Sequence, residues 1–455
     1  MDQEIGQSGK KSEATVVSPD TIVALASGTM PAAIAVVRIS GPRTRNVLEA
    51  FGGGVPEARH AALRDIGPPR LPAIDRGLVI WFPGPASFTG EDMAELHTHG
   101  SRAVVGEVIE AVLSLDGTRL AEPGEFARRA FENGKLDLTQ VEGLADLISA
   151  ETEAQRRQAL AQAEGSLRAL YEGWRAELLR AQAFMEAGLD FADEGDVVAD
   201  VALEAEAIVT PLLISISHHL ADRRGERLRD GVRIVIAGRP NVGKSSLLNA
   251  LAKRDVAIVS EEAGTTRDVL EVHLDLGALP VILSDTAGLR DTASKVEAEG
   301  VRRALSRTEQ ADVVLWVVDA TAPVWDPPVA LGTKPAVIGV LNKIDLAPHA
   351  VPPRQCVQIS AKTGQGFDGL IEALEEHATM IAETGAGSPL MTRARHRAEL
   401  ECARAALQRF GDPSLSPELK AEELRIAARH LGRLTGRIDV EEVLGAIFGE
   451  FCIGK

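Results

Sequence analysis

Cysteine is scarce. Only Cys356, Cys402 and Cys452 occur in 455 residues. That is too sparse for a disulfide framework and suits a reducing compartment. No apolar run is long enough to cross a bilayer, so no membrane partner is expected. The opening stretch, MDQEIGQSGKKSEATVV, has no apolar h-region, so no secretory signal is expected and the expected location is cytoplasmic. Positive charge is also short: 49 Lys and Arg stand against 66 Asp and Glu, for a net charge of −17. That balance excludes a general nucleic-acid coat, because phosphate binding needs a local excess of Lys and Arg. Any contact with RNA would use a local basic patch. The final CIGK fails as a prenylation box, since Gly454 is not aliphatic and Lys455 is a poor last residue. What remains is long enough for two to four domains and a substantial core.

The middle of the chain carries chemistry. VRIVIAGRPNVGKSSLLNALA runs an apolar strand, Val232 to Ile236, into a glycine loop and then a helix. The loop fits G-x-x-x-x-G-K-[ST] from Gly238 to Ser245. Its glycines let backbone N–H groups curl around phosphates, which makes Asn241, Val242, Gly243, Lys244, Ser245 and Ser246 nucleotide contacts. Lys244 supplies charge near the β and γ phosphates, and the Ser245 hydroxyl is a Mg²⁺ ligand. VILSDTAG ends a strand in Asp285, followed by Thr286, Ala287 and Gly288. An aspartate there holds Mg²⁺ through water, and the glycine N–H meets the γ-phosphate. AVIGVLNKID ends another apolar strand in Asn342, Lys343, Ile344 and Asp345. A carboxylate at Asp345 accepts from N1–H and the 2-amino group of guanine; adenine lacks that donor pair, so the nucleotide is GTP. CVQISAKTG adds Ser360, Ala361 and Lys362, a loop whose backbone reaches the guanine carbonyl. Four such segments after apolar strands predict a doubly wound α/β sheet with its ligand at the carboxyl ends of the strands. The resemblance is to the Ras-like GTPases, over roughly Gly231 to Glu383.

Leu289 stands where small GTPases place a water-orienting glutamine, so hydrolysis must use another group. The switch segment runs through Ser260, Glu261, Glu262, Ala263, Gly264, Thr265 and Thr266. Thr266 looks like a second Mg²⁺ and γ-phosphate ligand. Asn241 with this G-T-T-R-D switch resembles the potassium-activated GTPases, in which K⁺ substitutes for an arginine finger; a simple turn former is the alternative for Asn241.

The flanks predict two further parts. Apolar residues at Leu160, Leu167, Leu170, Trp174, Leu178, Ala181 and Met185 follow helical spacing and predict one helix face. Helices are again predicted over Met391 to Phe410 and from Pro417 to Leu434. The predicted organisation is an α+β domain over 1–134, a helical domain from 135–229 and 385–455, and the GTPase domain, 230–384, inserted within it. In the first part TIVALAS, AAIAVVRIS and RGLVIWF are β-branched runs bounded by Gly and Pro. Glu95, His97 and His99 alternate, so in a strand they share a face. A metal site of two His and one carboxylate has that pattern.

DTIVALAS, FPGPASFTGEDMAELHTHG, PGEFARRAFENGKLDLTQVEGLADLI and the terminal FCIGK, together with the inserted GTPase, resemble the MnmE (TrmE) family of tRNA modification GTPases across nearly the whole chain. That resemblance implies a homodimer working with the FAD protein MnmG (GidA), in a heterotetramer or larger complex, on the wobble uridine of certain tRNAs. The product would carry a carboxymethylaminomethyl or aminomethyl group at carbon 5. The one-carbon unit would come from 5,10-methylenetetrahydrofolate, with 5-formyltetrahydrofolate as its analogue. The family's folate contacts fall on Arg38, Glu95, Lys135 and Lys455, which assigns Glu95 to folate rather than to a metal. Its K⁺ ligands fall on Asn241 and Thr265 by side chain, and on Ser260 and Glu262 by backbone carbonyl. Its water-orienting carboxylate falls on Glu297, and Cys452 is placed beside the one-carbon chemistry. Two stretches depart from the family pattern: Met30-Pro31-Ala32-Ala33 replaces a glycine-rich loop, and HTHGS replaces a more usual Gln-Gly-His-Gly-Gly. A ribosome-assembly GTPase and a folate-dependent one-carbon transferase regulated by GTP are the alternative classes.

Overall fold

The computed structural model describes residues 20–190, 195–254, 257–258, 271–276, 279–285, 311–325, 336–352, 356–382, 389–438, 441–449, 451 and 454. The chain forms two compact units, Met1–Ala145 with Thr435–Lys455, and Asp146–Leu434.

The first unit is α+β. Its elements are β1 (Thr21–Leu25), β2 (Ala32–Ser40), α1 (Thr44–Phe51), β3 (Ala62–Ile66), β4 (Asp75–Phe82), β5 (Met93–Gly100), α2 (Arg102–Leu113), β6 (Thr118–Leu120), α3 (Glu125–Glu132) and the start of α4 (Leu138–Ile148). The sheet order is β3-β4-β5-β2-β1-β6. Alternation sorts the two faces. Ala35, Val37 and Ile39 of β2 and Ala94 and Leu96 of β5 are buried with Val47 and Leu48 of α1 and Val105, Val108 and Val112 of α2. Each of the Val, Leu and Ile side chains contributes roughly 1.5–3 kcal/mol when fully buried. The intervening residues Arg38, Glu95 and His97 therefore lie on the opposite face, half-buried. The C-terminal segment belongs to this unit because Ile447, Phe448 and Phe451 are buried with Ala127, Leu138 and Val141. The compact units divide at 145/146 and 434/435, so the segment from Thr435 packs with the first unit.

The second unit opens with α5 (Glu153–Ala163), α6 (Ser166–Asp190), α7 (Gly195–Ala221) and α8 (Arg224–Asp230). A sheet region follows, with β7 (Val232–Gly238), α9 (Lys244–Leu251), β8 (Ala257–Ile258), β9 (Glu271–Leu276), β10 (Leu279–Asp285), β11 (Val313–Asp319), β12 (Ala336–Asn342), β13 (Val357–Gln358) and α10 (Phe367–Ala382). It closes with α11 (Ala394–Phe410) and α12 (Pro417–Thr435), the latter starting at the proline as expected. The sheet order is β13-β12-β11-β7-β10-β9-β8. β13, β12, β11, β7 and β10 run parallel, β9 pairs antiparallel with β10 and β8 antiparallel with β9, so the doubly wound sheet ends in an antiparallel edge. The helix face predicted through Leu160 is split. Thr152 and Gln155 form a capping box that starts α5, and α6 begins afresh at Ser166. Leu160 stays 36% exposed, while Leu167, Trp174, Leu178, Ala181 and Met185 of α6 enter the helical core.

That core holds His219. Its ring meets Tyr171 and Trp174 edge-on, with centroids 6.0 and 5.4 Å away. Burial is the main cause that lowers its pKa to about 4, with His396, Arg397 and His218 adding and Asp222 opposing. Between the ordinary value near 6.5 and about 4, the unfolded chain binds the proton and the folded one does not. Stability is therefore fully present above pH 6.5 and falls as pH drops through that window, by on the order of 3 kcal/mol. Urea midpoints of the helical transition at pH 7.5 and 5 will show it. His219→Phe should lose much of that slope, and an unchanged slope refutes the assignment.

Candidate functional site

The glycine loop lies where β7 gives way to α9. Gly243 has φ +98, and a Cβ there would stand 2.4 Å from Asn342 Nδ2. Only glycine lets the loop approach β12 this closely. Asn342 is 2% exposed and uses both ends of its amide to join two loops. Its Nδ2 donates to Val242 O at 2.8 Å, and its Oδ1 accepts from Ala361 N at 2.9 Å. Lys244 Nζ donates to the Gly238 and Arg239 carbonyls at 3.1 and 3.0 Å, closing the loop on itself. Asn241 and Lys343 both take left-handed backbone, φ 64 and 68. Lys343 Nζ donates to Asn241 O at 2.7 Å and to Asp319 Oδ2 at 2.6 Å. Burial raises the Asp319 carboxyl, but the bonds from Lys343 and Thr321 outweigh it and hold the pKa below the usual range. Ser360 Oγ donates to Asp345 Oδ1 at 2.7 Å, which orients that carboxylate. Asp285 ends β10 opposite Ile236 of β7. Val242, Lys244, Ser245, Asn342, Asp345 and Ala361 are thus gathered at the carboxyl ends of parallel strands, as the phosphate and guanine motifs require.

A second cluster occupies the open face of the first sheet. Arg38 and Glu95 are directly opposite across β2 and β5. Arg38 donates to Glu95 Oε1 through Nε at 3.1 Å and Nη2 at 3.0 Å. Its guanidinium also lies 5.8 Å from the centroid of the buried Phe126 ring. Arg38 Nη1 lies 3.5 Å from Gly454 O, a long contact that brings the C-terminal tail to this pair. His97 Nε2 is 3.1 Å from Glu95 Oε2. His99 turns away and pairs with Asp75 at 2.8 Å. Among the described residues no group of three or more His, Cys, Asp or Glu is arranged to hold a metal ion, so the two-His, one-carboxylate pattern does not assemble. Lys135 Nζ donates to Pro85 O at 2.9 Å, on the loop between β4 and β5.

Residues 21–135 match the family model described as GTP-binding protein TrmE N-terminus, and residues 138–452 match that of the MnmE helical domain. A tRNA modification GTPase MnmE of Rhodopseudomonas palustris is 53% identical over 446 residues, covering 96% of this chain and 99% of that protein. The protein of the same name from Parvibaculum lavamentivorans is 54% identical over 451 residues, covering 96% of this chain and all of that one. The chain belongs to the MnmE family of tRNA modification GTPases. Among its described residues, no helix is long and apolar enough to cross a membrane.

Several family-matched positions lie outside the described residues: Ser260, Glu261, Glu262, Ala263, Gly264, Thr265, Thr266, Thr286, Ala287, Gly288, Glu297, Cys452 and Lys455. Two contributors went unpredicted. Asp319, at the end of β11, holds Lys343; its signal was a carboxylate closing the apolar run VVLWVVD. Arg129, 3% exposed, bridges Glu91 at 3.1 Å, Asp20 at 3.0 Å and Glu125 at 2.9 Å. Glu91 in turn accepts from Ser40 Oγ at 2.8 Å, two residues beyond Arg38 on β2. Burial raises the Glu125 carboxyl, but Arg119 and Arg129 outweigh it and keep it ionised. Breaking such a buried pair strands a charge, so this network holds β2 in place beneath the Arg38 cluster.

Proposed function

We propose that this chain hydrolyses GTP to drive modification at carbon 5 of the wobble uridine in certain tRNAs, as a homodimer working with the FAD protein MnmG. Membership of the family makes it a GTP-hydrolysing enzyme of tRNA modification. The observation that carries the fuller reading is that one chain holds two chemically different sites. One gathers Asn342, Asp345 and Ser360 through bonds among the strand-end loops, an arrangement that would clamp guanine. The other is the Arg38–Glu95 pair met by the C-terminal tail. A carboxylate beside a guanidinium suits a pterin with its amino donors and a folate tail with its anionic groups. Arg38, Glu95, Lys135 and Lys455 would hold tetrahydrofolate, which supplies the one-carbon unit. The glycine cradle and the Ser245 hydroxyl fit a Mg²⁺-bound triphosphate, with Thr266 completing the metal shell. Mass analysis of wobble uridines in a deletion strain tests the reading. Normal modification without the gene removes it and favours a ribosome-assembly role.

Asn241, Ser260, Glu262 and Thr265 would hold K⁺, which supplies the charge of an arginine finger between the β and γ phosphates. Turnover at saturating GTP and Mg²⁺ should be roughly tenfold or more faster in KCl than in NaCl of equal ionic strength. Equal rates in the two salts dispose of the K⁺ site.

A further inference from the structure

Glu95 is held at both carboxylate oxygens. Arg38 donates twice to Oε1, and His97 Nε2 stands 3.1 Å from Oε2. The two holders reach it differently: Arg38 is its partner across the strands, and His97 follows it by two on β5, so their side chains share a face. A glutamate's last torsion is broad. Arg38, acting on one oxygen alone, leaves the other free to swing. The bond to His97 removes that freedom. An ionised carboxylate only accepts, so Nε2 is the protonated ring nitrogen in this bond. Of roughly four lone-pair positions on the carboxylate, three are then taken and one on Oε2 remains. The residues directly opposite His97 are Val36 of β2 and Leu78 of β4, which offer no competing polar group. His99 is drawn off by Asp75.

We infer that His97 is a positioning residue that locks the Glu95 carboxylate so that its remaining Oε2 lone pair meets an N–H donor of the ligand, the amino-substituted ring of a pterin. The inference rests on the reading of Arg38 and Glu95 as a folate site. It also gives the HTHGS departure a physical meaning. The imidazole supplies the same kind of donor as the amide of the more usual glutamine, from a more rigid ring with fewer torsions to order.

The test is calorimetric titration of the full chain with 5-formyltetrahydrofolate, with thermal midpoints measured alongside. His97→Leu should weaken binding about tenfold, the loss of one hydrogen bond that orders a charged acceptor. His97→Gln should restore it to within about threefold, because a donor is again present. His97→Asn keeps a donor but is too short to reach Oε2, so it should behave like His97→Leu and serves in its place if the leucine variant does not fold. If the leucine and asparagine variants bind as tightly as wild type, or the glutamine variant is weakened as much as they are, His97 has no such role. In either case binding by the wild type leaves the folate reading standing. A wild type that does not bind the probe removes the folate reading, and this inference with it.

Discussion

Asp345→Asn is expected to weaken GTP binding by on the order of a hundredfold or more, and to admit xanthosine triphosphate in its place. The reason is hydrogen-bond polarity. Ser360 Oγ donates to Asp345 Oδ1 at 2.7 Å and so holds the carboxylate at the end of β12. A carboxylate accepts from both N1–H and the 2-amino group of guanine. Asparagine keeps the shape, and its oxygen still accepts from Ser360, but its amide nitrogen points a donor at the 2-amino donor. Both groups are then desolvated without partners. Xanthine carries an oxygen at that carbon and pairs with the amide. Because the contacts within the protein survive, thermal stability should stay near wild type. Affinities for the two nucleotides, measured by displacement of a fluorescent analogue, decide the matter. Unchanged GTP affinity, or equal loss of both nucleotides, would sink the assignment of Asp345 to the base. Asn342→Ala is a useful contrast. It removes two bonds that tie the glycine loop to the Ser360 loop, so it should weaken both nucleotides together.

The difference between these two residues marks where the sequence is legible. The phosphate loop and Asn-Lys-Ile-Asp are local: each follows an apolar strand, and each must sit at its carboxyl end. Their placement needed no long-range knowledge. That Asn342 would turn its amide onto Val242 and Ala361 did need it, since those partners are brought together only by the order of strands β13, β12, β11 and β7. Asp319 escaped notice for the same reason: it reaches Lys343 because β11 and β12 are adjacent, pairing Asp319 with Asn342 in register. The phase of the Leu160 to Met185 series misled because helical spacing continues unbroken across Gly165, whose φ of +97 separates two helices. Burial of the C-terminal aromatics was legible from their apolarity. That their partners would be Ala127, Leu138 and Val141 was not, because hydrophobic burial carries no address.

Loss of the terminal tail is expected to abolish wobble-uridine modification while GTP turnover persists. The tail is pinned on both sides of Cys452. Before it, Phe451 is 6% exposed and packs on Phe448, centroids 6.3 Å apart. After it, Gly454 has φ +100, and a Cβ there would stand 2.1 Å from Leu25 O. No side chain fits without moving the tail off β1. Gly454 O is also the atom that Arg38 Nη1 approaches at 3.5 Å. Gly454→Ala should therefore displace the tail from the Arg38–Glu95 pair and reduce modification by tenfold or more, through backbone strain and a backbone clash together. Cys452 lies outside the described residues, between these two anchors, and its proposed place beside the one-carbon chemistry predicts the same loss for Cys452→Ser. The other two thiols supply the controls. Cys402 is exposed on α11, and burial pushes the half-buried Cys356 thiol upward in pKa, away from the reactive thiolate. Serine at either should leave modification intact. The readout is the mass of wobble nucleosides from a deletion strain carrying each variant, with GTP turnover of the purified proteins measured in parallel. Normal modification in Cys452→Ser with loss in Gly454→Ala would make the tail a wall of the site and its thiol a bystander. Normal modification in both would show that the chemistry does not need the tail, and the link between FCIGK and the Arg38 cluster would be packing alone.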